Sequence, residues 1–291
     1  MSEVQPAGGE ATQLENEAAA GLVKSRDRER YWSTLFAPAD KQPALLALYA
    51  FNAELDHIAA AAREPMVGQI RLQWWRDAVE LAEPGMKTGN PIADALSAAI
   101  LAHDLPKDRL AGMIAARIPE ITADPPASLQ DLRVSLLQTE GAVFELAASI
   151  LGCASEAGKQ AAQHAALAYG LTQRLRTVPV QASRRRLLLP PSYLQSRGVD
   201  LDWVYAGKTS TGLAAALADF RAEASRELQR FRELRAGLDR GAWPAFLPLA
   251  LVEPHLAAMA AGSFDPLHTV ATLNPLRQFW RIWWASWRRA V

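Results

Sequence analysis

Apolar residues recur at three- and four-residue intervals along most of this chain, and proline repeatedly interrupts them. That combination leaves little room for a sheet. Alanine and leucine dominate, and the period-two alternation of a half-buried strand is hard to find. From Ala44 onward, Leu45, Leu48, Phe51, Leu55 and Ile58 fall along one helical face. The same spacing predicts helices over 68–81, 92–104, 107–117, 129–152, 157–178, 213–238, 243–260 and 275–291. Breaks are expected at Pro106, Pro119, Pro125-Pro126, Pro179 and Pro190-Pro191, where the ring removes a donor and crowds the preceding turn. The reading is an all-α, single-domain bundle of about ten helices over 23–291. Residues 1–22, with four glutamates and no Lys or Arg in the first twenty, are expected to be a disordered acidic tail.

Composition narrows the function classes. Lys+Arg and Asp+Glu both number 31, so the formal net charge is zero. That excludes a globally basic nucleic-acid-binding protein, and no nucleic acid partner is expected. The single cysteine, Cys153, excludes an intramolecular disulfide and any multi-cysteine metal site. No apolar run reaches the ~18 residues of a spanning helix, and no secretory signal opens the chain. The expected location is the cytoplasm, with a peripheral place on the inner membrane. There is no P-loop, dinucleotide glycine fingerprint, HExxH or GxSxG. His57, His103, His164, His255 and His268 stand at no metal-ligand spacing from one another.

Two stretches carry more information. YAFNAELDHIAAAA begins at Tyr49, and GLTQRLRTVPVQASRRRLLLP runs from Gly170 to Pro190. Together with the earlier RYWSTLFAPADKQPALLALYAF, they resemble the signature regions of the squalene/phytoene synthase family. The resemblance implies an all-α, isoprenoid-synthase-like fold. It also implies a cavity in which allylic diphosphates and Mg²⁺ meet aspartate-rich motifs on two facing helices. Oxygen ligands suit Mg²⁺, and acids at i and i+4 share a helical face. Ionisation of a diphosphate builds charge that the metals neutralise.

This sequence departs from that pattern at most of the motif positions. Asp56 matches the leading aspartate of the first motif, but His57 follows it and Ala60 stands at i+4. In the second motif the aspartate positions hold Thr177 and Gln181, with Pro179 between them. Ala53 replaces the family's arginine after Tyr-Ala-Phe. Arg176, Arg186 and Pro190 remain. One carboxylate cannot balance a metal cluster and two diphosphates, so metal-dependent ionisation is expected to be lost.

The blocks AFNAEL, Arg71-x-Gln73-Trp74-Trp75 and Ser183-Arg184-Arg185, with the later PAFL and SWR, resemble one branch of the family. That branch is the mitochondrial complex I assembly factors and their bacterial relatives, which lack the aspartate motifs. The resemblance implies a catalytically silent protein that acts by binding, with a respiratory complex I subunit or assembly intermediate as partner and no cofactor. The alternatives are an active or divergent prenyl transferase, which would need Mg²⁺, and a prenyl-lipid-binding protein. No catalytic residue is expected beyond the vestigial Asp56. The residues offered to a ligand are Tyr49, Asn52, Asp56, Arg71, Gln73, Trp74, Gln173, Arg176, Arg184 and Arg186. Each has a plainer reading as well. Tyr49, Asn52 and Asp56 share a helical face, as a pocket wall or as buried hydrogen-bonding groups. The arginines at 174, 176 and 184–186 form either an anion site or a solvated charge run. The last helix, PLRQFWRIWWASWRRAV, sets Leu276, Trp280, Trp283, Trp284 and Trp287 on one face. It reads either as the lid of the core or as a peripheral membrane contact through tryptophan and arginine.

Overall fold

Proline here starts helices as much as it ends them. In the computed structural model, which describes residues 7–62, 64–153 and 155–291 and side chains from Thr12 onward, the chain opens with α1 (Ala7–Arg26), α2 (Arg28–Thr34), α3 (Gln42–Ala61) and α4 (Pro65–Glu80). It continues through α5 (Pro91–His103), α6 (Lys107–Ala115), α7 (Ile118–Thr122) and α8 (Leu129–Leu136). A π-helical turn, Leu137–Gly141, leads into α9 (Ala142–Ile150) and then the long α10 (Glu156–Arg176). The second half holds α11 (Val178–Ser183), α12 (Pro191–Ser196), α13 (Leu201–Tyr205), α14 (Thr211–Leu234), α15 (Trp243–Phe246), α16 (Val252–Ala260) and α17 (Pro275–Arg288). Among the described residues there is no strand. Helices α3, α4, α5, α7, α11, α12, α15 and α17 all carry proline at their first or second position. The first N–H groups of a helix have no partner within it, so proline costs nothing there. Side-chain caps do the rest: Asn90, Ser128, Ser155, Asp200, Ser210 and Asn274 each accept from a backbone N–H of the following turn.

Helix α10 is the axis. Its buried residues include Ala161, Ala162, Ala165, Ala166, Ala168 and Gly170, which let neighbouring helices approach closely on several sides. Helix α14 packs along it most extensively. On the far side α1, α3 and α5 pack on one another. Between them lies an aromatic stack: Phe246 is fully buried, 5.8 Å from Phe144 and 5.1 Å from Phe231.

Three sequence expectations need correction. The acidic tail of 1–22 is helical from Ala7, and a boundary after residue 22 would cut through α1. Residues 1–6 lie outside the described residues. Ala19 and Val23 are fully buried, and Glu15 accepts from Lys87 at 2.7 Å. Alanines carry much of this packing, with Leu22 and Val23 the larger apolar contacts, so the recurring large residues that mark a helix in sequence are sparse. The single helix expected over 129–152 is interrupted by the π turn, which adds a residue and turns Glu140 inward. The short helices α7, α11, α12 and α13 are not among the expected ones: proline begins the first three, and the Asp200 cap begins α13.

Two glycines separate helix propensity from space. Gly21 sits exposed within α1, and nothing lies within 4 Å of where its Cβ would be. Gly21→Ala should raise stability by up to about 1 kcal/mol. At Gly212 a Cβ would stand 2.3 Å from the Arg197 carbonyl oxygen. Gly212→Ala should instead lower stability by about 1–3 kcal/mol. Urea denaturation of both variants checks the opposite signs.

Candidate functional site

Helices α2, α3, α7 and α10, with the π turn, enclose a cavity of about 550 Å³. Its walls are unusually rich in charge. Asp27, Glu29, Asp56, Glu120 and Glu140 line it, together with Arg26, Arg28, Arg30, Arg117, Arg174 and Arg176. Isolated charges out of water are costly, so these groups must find each other.

They do so in three linked clusters. The first centres on Glu29 of α2. Its carboxylate accepts from Tyr169 Oη at 2.9 Å, Gln173 Nε2 at 3.2 Å and Arg176 Nη1 at 2.9 Å, all on α10. His255 Nε2 of α16 approaches it at 3.3 Å. Burial alone would raise this carboxyl, but His255, Arg176 and Tyr169 overcome it and hold the pKa at about 2. The second cluster centres on Arg30. It donates to Glu140 at 2.5 Å and to Asp27 at 2.9 Å, inside a box of the Tyr49, Phe144 and Tyr169 rings. The third joins α3, α7 and α10 through Arg117, which is 4% exposed. Arg117 pairs with Asp56 and, at 3.2 Å, with Glu120, and donates to Asn52 Oδ1 at 3.3 Å. Arg174 also pairs with Glu120. Burial would raise the Glu120 carboxyl, yet Arg174 and Arg117 together lower it. At Asp56 the balance tips the other way. Enclosure outweighs Arg117, Glu140 and Glu120 add repulsion, and the carboxyl is pushed up to about 6. Its side chain keeps 48% of its surface, so water in the cavity tempers that rise.

The residues picked from sequence separate into three groups. Asp56, Gln173 and Arg176 line the cavity. Asn52 and Tyr49 lie just behind its wall: Asn52 is buried, donates to Asp56 at 3.2 Å and accepts from Arg117, while Tyr49 is packed under Arg30. The others lie elsewhere. Arg71, Gln73 and Trp74 are on the outer face of α4, with Gln73 donating to Asp77 at 2.7 Å. It is Trp75 that turns inward, edge-on to Phe51 at 5.2 Å. Arg184 and Arg186 are braces. Arg184 donates to the Ala60 carbonyl at 2.9 Å, and Arg186 donates to the carbonyls of Ala62 and Ile121 at 3.1 and 2.5 Å. They tie the loop after α11 to the ends of α3 and α7. Outside the cavity, α14 carries a further ion cluster, in which the fully buried Glu227 is bound by Arg133, Arg230 and His164.

Sequence reasoning missed Glu29, Arg30, Arg117, Glu120, Glu140 and Tyr169. The run Arg26-Asp27-Arg28-Glu29-Arg30 has the alternating charge of a solvated helix, which masked its burial. The signal available was Glu140, an acid beside a long apolar run.

A Mg²⁺ cluster does not fit these residues. Among the described residues no group of three or more His, Cys, Asp or Glu side chains is placed to hold a metal. Thr177 and Gln181 serve the backbone instead. The Thr177 hydroxyl donates to the Gln173 carbonyl at 2.9 Å, and Gln181 donates to that hydroxyl at 2.6 Å while accepting from Leu188 N at 2.8 Å. Pro179 opens α11, so the line of α10 ends before the second position.

Comparison with known proteins follows the same outline. The squalene/phytoene synthase family pattern matches residues 23–288. NADH dehydrogenase (ubiquinone) complex I, assembly factor 6, of Mus musculus is 28% identical over 268 residues, covering 92% of this chain and 80% of that protein. Among solved structures, the squalene synthase HpnC of Alicyclobacillus acidocaldarius superposes with a TM-score of 0.74 at 21% identity, covering 86% of this chain and 94% of that one. A dehydrosqualene synthase in complex with ligand gives 0.78 at 15% identity, covering 96% and 98%. These two likenesses establish a shared fold.

The Glu29 cluster predicts a pH signature. A carboxyl held at about 2 in the folded chain, against an ordinary 4.5, adds stability above 4.5 that is lost as pH falls toward 2. Glu29→Gln should cost about 3 kcal/mol at neutral pH. Urea denaturation across pH should show that cost shrinking below 4.5; a constant cost would mean that charge is not its origin.

Proposed function

We propose, for a chain that belongs to the squalene/phytoene synthase family, a binding role rather than a catalytic one: an accessory factor in the assembly of respiratory complex I. The observation that carries this reading is the cavity's internal neutralisation. Each carboxylate that could face a cation is bonded to an arginine of the same chain, and the second-motif positions are spent on closing α10. Such a wall offers a diphosphate–metal complex little uncompensated charge, and electrostatic stabilisation of the leaving group is what this chemistry requires. The matching proteins named as complex I assembly factors support the biological side. A complex I subunit or assembly intermediate is the proposed partner. The work is placed at the inner membrane surface, with α17 as the peripheral contact. No helix among the described residues is long and apolar enough to cross a membrane.

The test is a deletion strain. NADH:quinone oxidoreductase activity should fall, and both the unmodified gene and an Asp56→Asn variant should restore it. Squalene and carotenoid content should not change. Purified protein given farnesyl diphosphate, Mg²⁺ and NADPH should release no head-to-head product. Turnover that Asp56→Asn abolishes would replace the binding role with an enzymatic one, and intact complex I in the deletion strain would remove the assembly role.

A further inference from the structure

Sequence left α17 with two readings, and its geometry separates them. Ile282 and Ala285 are buried, and they hold the helix to the body. Trp243 Nε1 donates to the Ala285 carbonyl at 3.0 Å, and Phe279 meets Trp32 edge-on at 5.9 Å. The tryptophan face points the other way. Leu276 is 71% exposed, Trp280 59%, Trp283 39%, Trp284 47% and Trp287 69%. This face is therefore no lid on the core. Exposed apolar surface of that size on a rigid helix marks an interaction site.

We infer that the outer face of α17 is a preformed docking surface for the headgroup layer of an anionic lipid bilayer. The inference rests on the membrane-side placement proposed above and names the surface that receives the helix. Charge selects this occupant. Residues 275–291 contain Arg277, Arg281, Arg288 and Arg289 and no Asp or Glu. The acid packed nearest, Glu253 of α16, is already committed: Arg232 donates to it at 2.7 Å, and Arg232 and Arg281 lower its carboxyl. The Arg288 guanidinium stacks on the Trp284 ring at 4.3 Å, so cation and aromatic are presented together. Tryptophan bodies settle at headgroup depth, and arginines beside them meet lipid phosphates. At about 21 Å for its fourteen residues, the helix is too short and too charged to span, and it suits the plane of the interface. Because it is packed before binding, no folding cost accompanies docking. Gln278, on the inner side of the same helix, reaches the cavity lining, so the docked surface and the cavity share one element.

The experiment uses the full-length protein with vesicles of equal parts phosphatidylcholine and phosphatidylglycerol, and with phosphatidylcholine alone. The unmodified protein should float with the anionic vesicles, shift its tryptophan emission to the blue, and be released by salt. Trp280→Ala with Trp287→Ala should weaken binding by about tenfold or more while leaving the melting temperature unchanged, since both side chains are exposed. Arg277→Gln with Arg288→Gln should abolish the preference for anionic lipid. No flotation by the unmodified protein, or flotation indifferent to both double variants, overturns the inference. Should the tryptophan variant fail to restore complex I activity while the unmodified protein ignores vesicles, the face belongs to a protein partner and the lipid assignment falls. Normal flotation combined with intact complex I in the deletion strain would uphold the docking surface and remove the assembly role instead.

Discussion

A buried carboxylate must be answered by a cation, and in this chain the answer comes from arginine. Glu29 gathers three side chains of α10 and one of α16 onto α2, while Arg117 draws α3 and α7 toward the Arg174 end of α10. Helix α10 is thus bolted at its C-terminal third by charge and along the rest of its length by alanine-scale packing against α14. The two modes of adhesion differ in how they fail. Removing a methyl group from the alanine face leaves a small void; removing one member of an ion cluster leaves its partners buried and unpaired, which is far more costly. The centre of the molecule is accordingly both its most polar region and its least tolerant one.

This arrangement sets what the cavity wall can present. A cavity that holds metal-bound diphosphates must offer negative charge to the metal. Here each carboxylate of the wall is paired with an arginine of the chain itself. The largest cluster of exposed aromatic side chains lies outside, on the tryptophan face of α17.

Periodicity sufficed for the all-α class and for the long helices α3, α4, α5 and α14, whose apolar faces include large side chains, and for α10, where Leu167, Tyr169, Leu171 and Leu175 punctuate the alanines. It failed at α1, whose buried face is alanine, valine and one glutamate, and at the π turn, which depends on a single inserted residue. The site was half legible. Asp56, Gln173 and Arg176 stood out because they sit in recognisable motif positions. Glu29, Arg30 and Glu140 did not, since a salt-bridged interior and a solvated helix have the same one-dimensional charge pattern; only the third dimension tells them apart. Arg71, Gln73 and Trp74 show the converse error, a distinctive block whose neighbour Trp75 does the packing.

The pairing of Thr177 with Gln181 carries an implication for how this wall can change. The two side chains already meet, Gln181 donating to the Thr177 hydroxyl at 2.6 Å, so aspartates at 177 and 181 would stand together but would give up the bonds that hold the end of α10 and Leu188 N. A metal platform on this wall would require new partners for those backbone groups and the release of Arg117 and Arg174 from Glu120. Each step taken alone lowers stability. Substitutions at 120, 177 and 181 are therefore coupled, and the wall can change only in directions that keep its arginines paired.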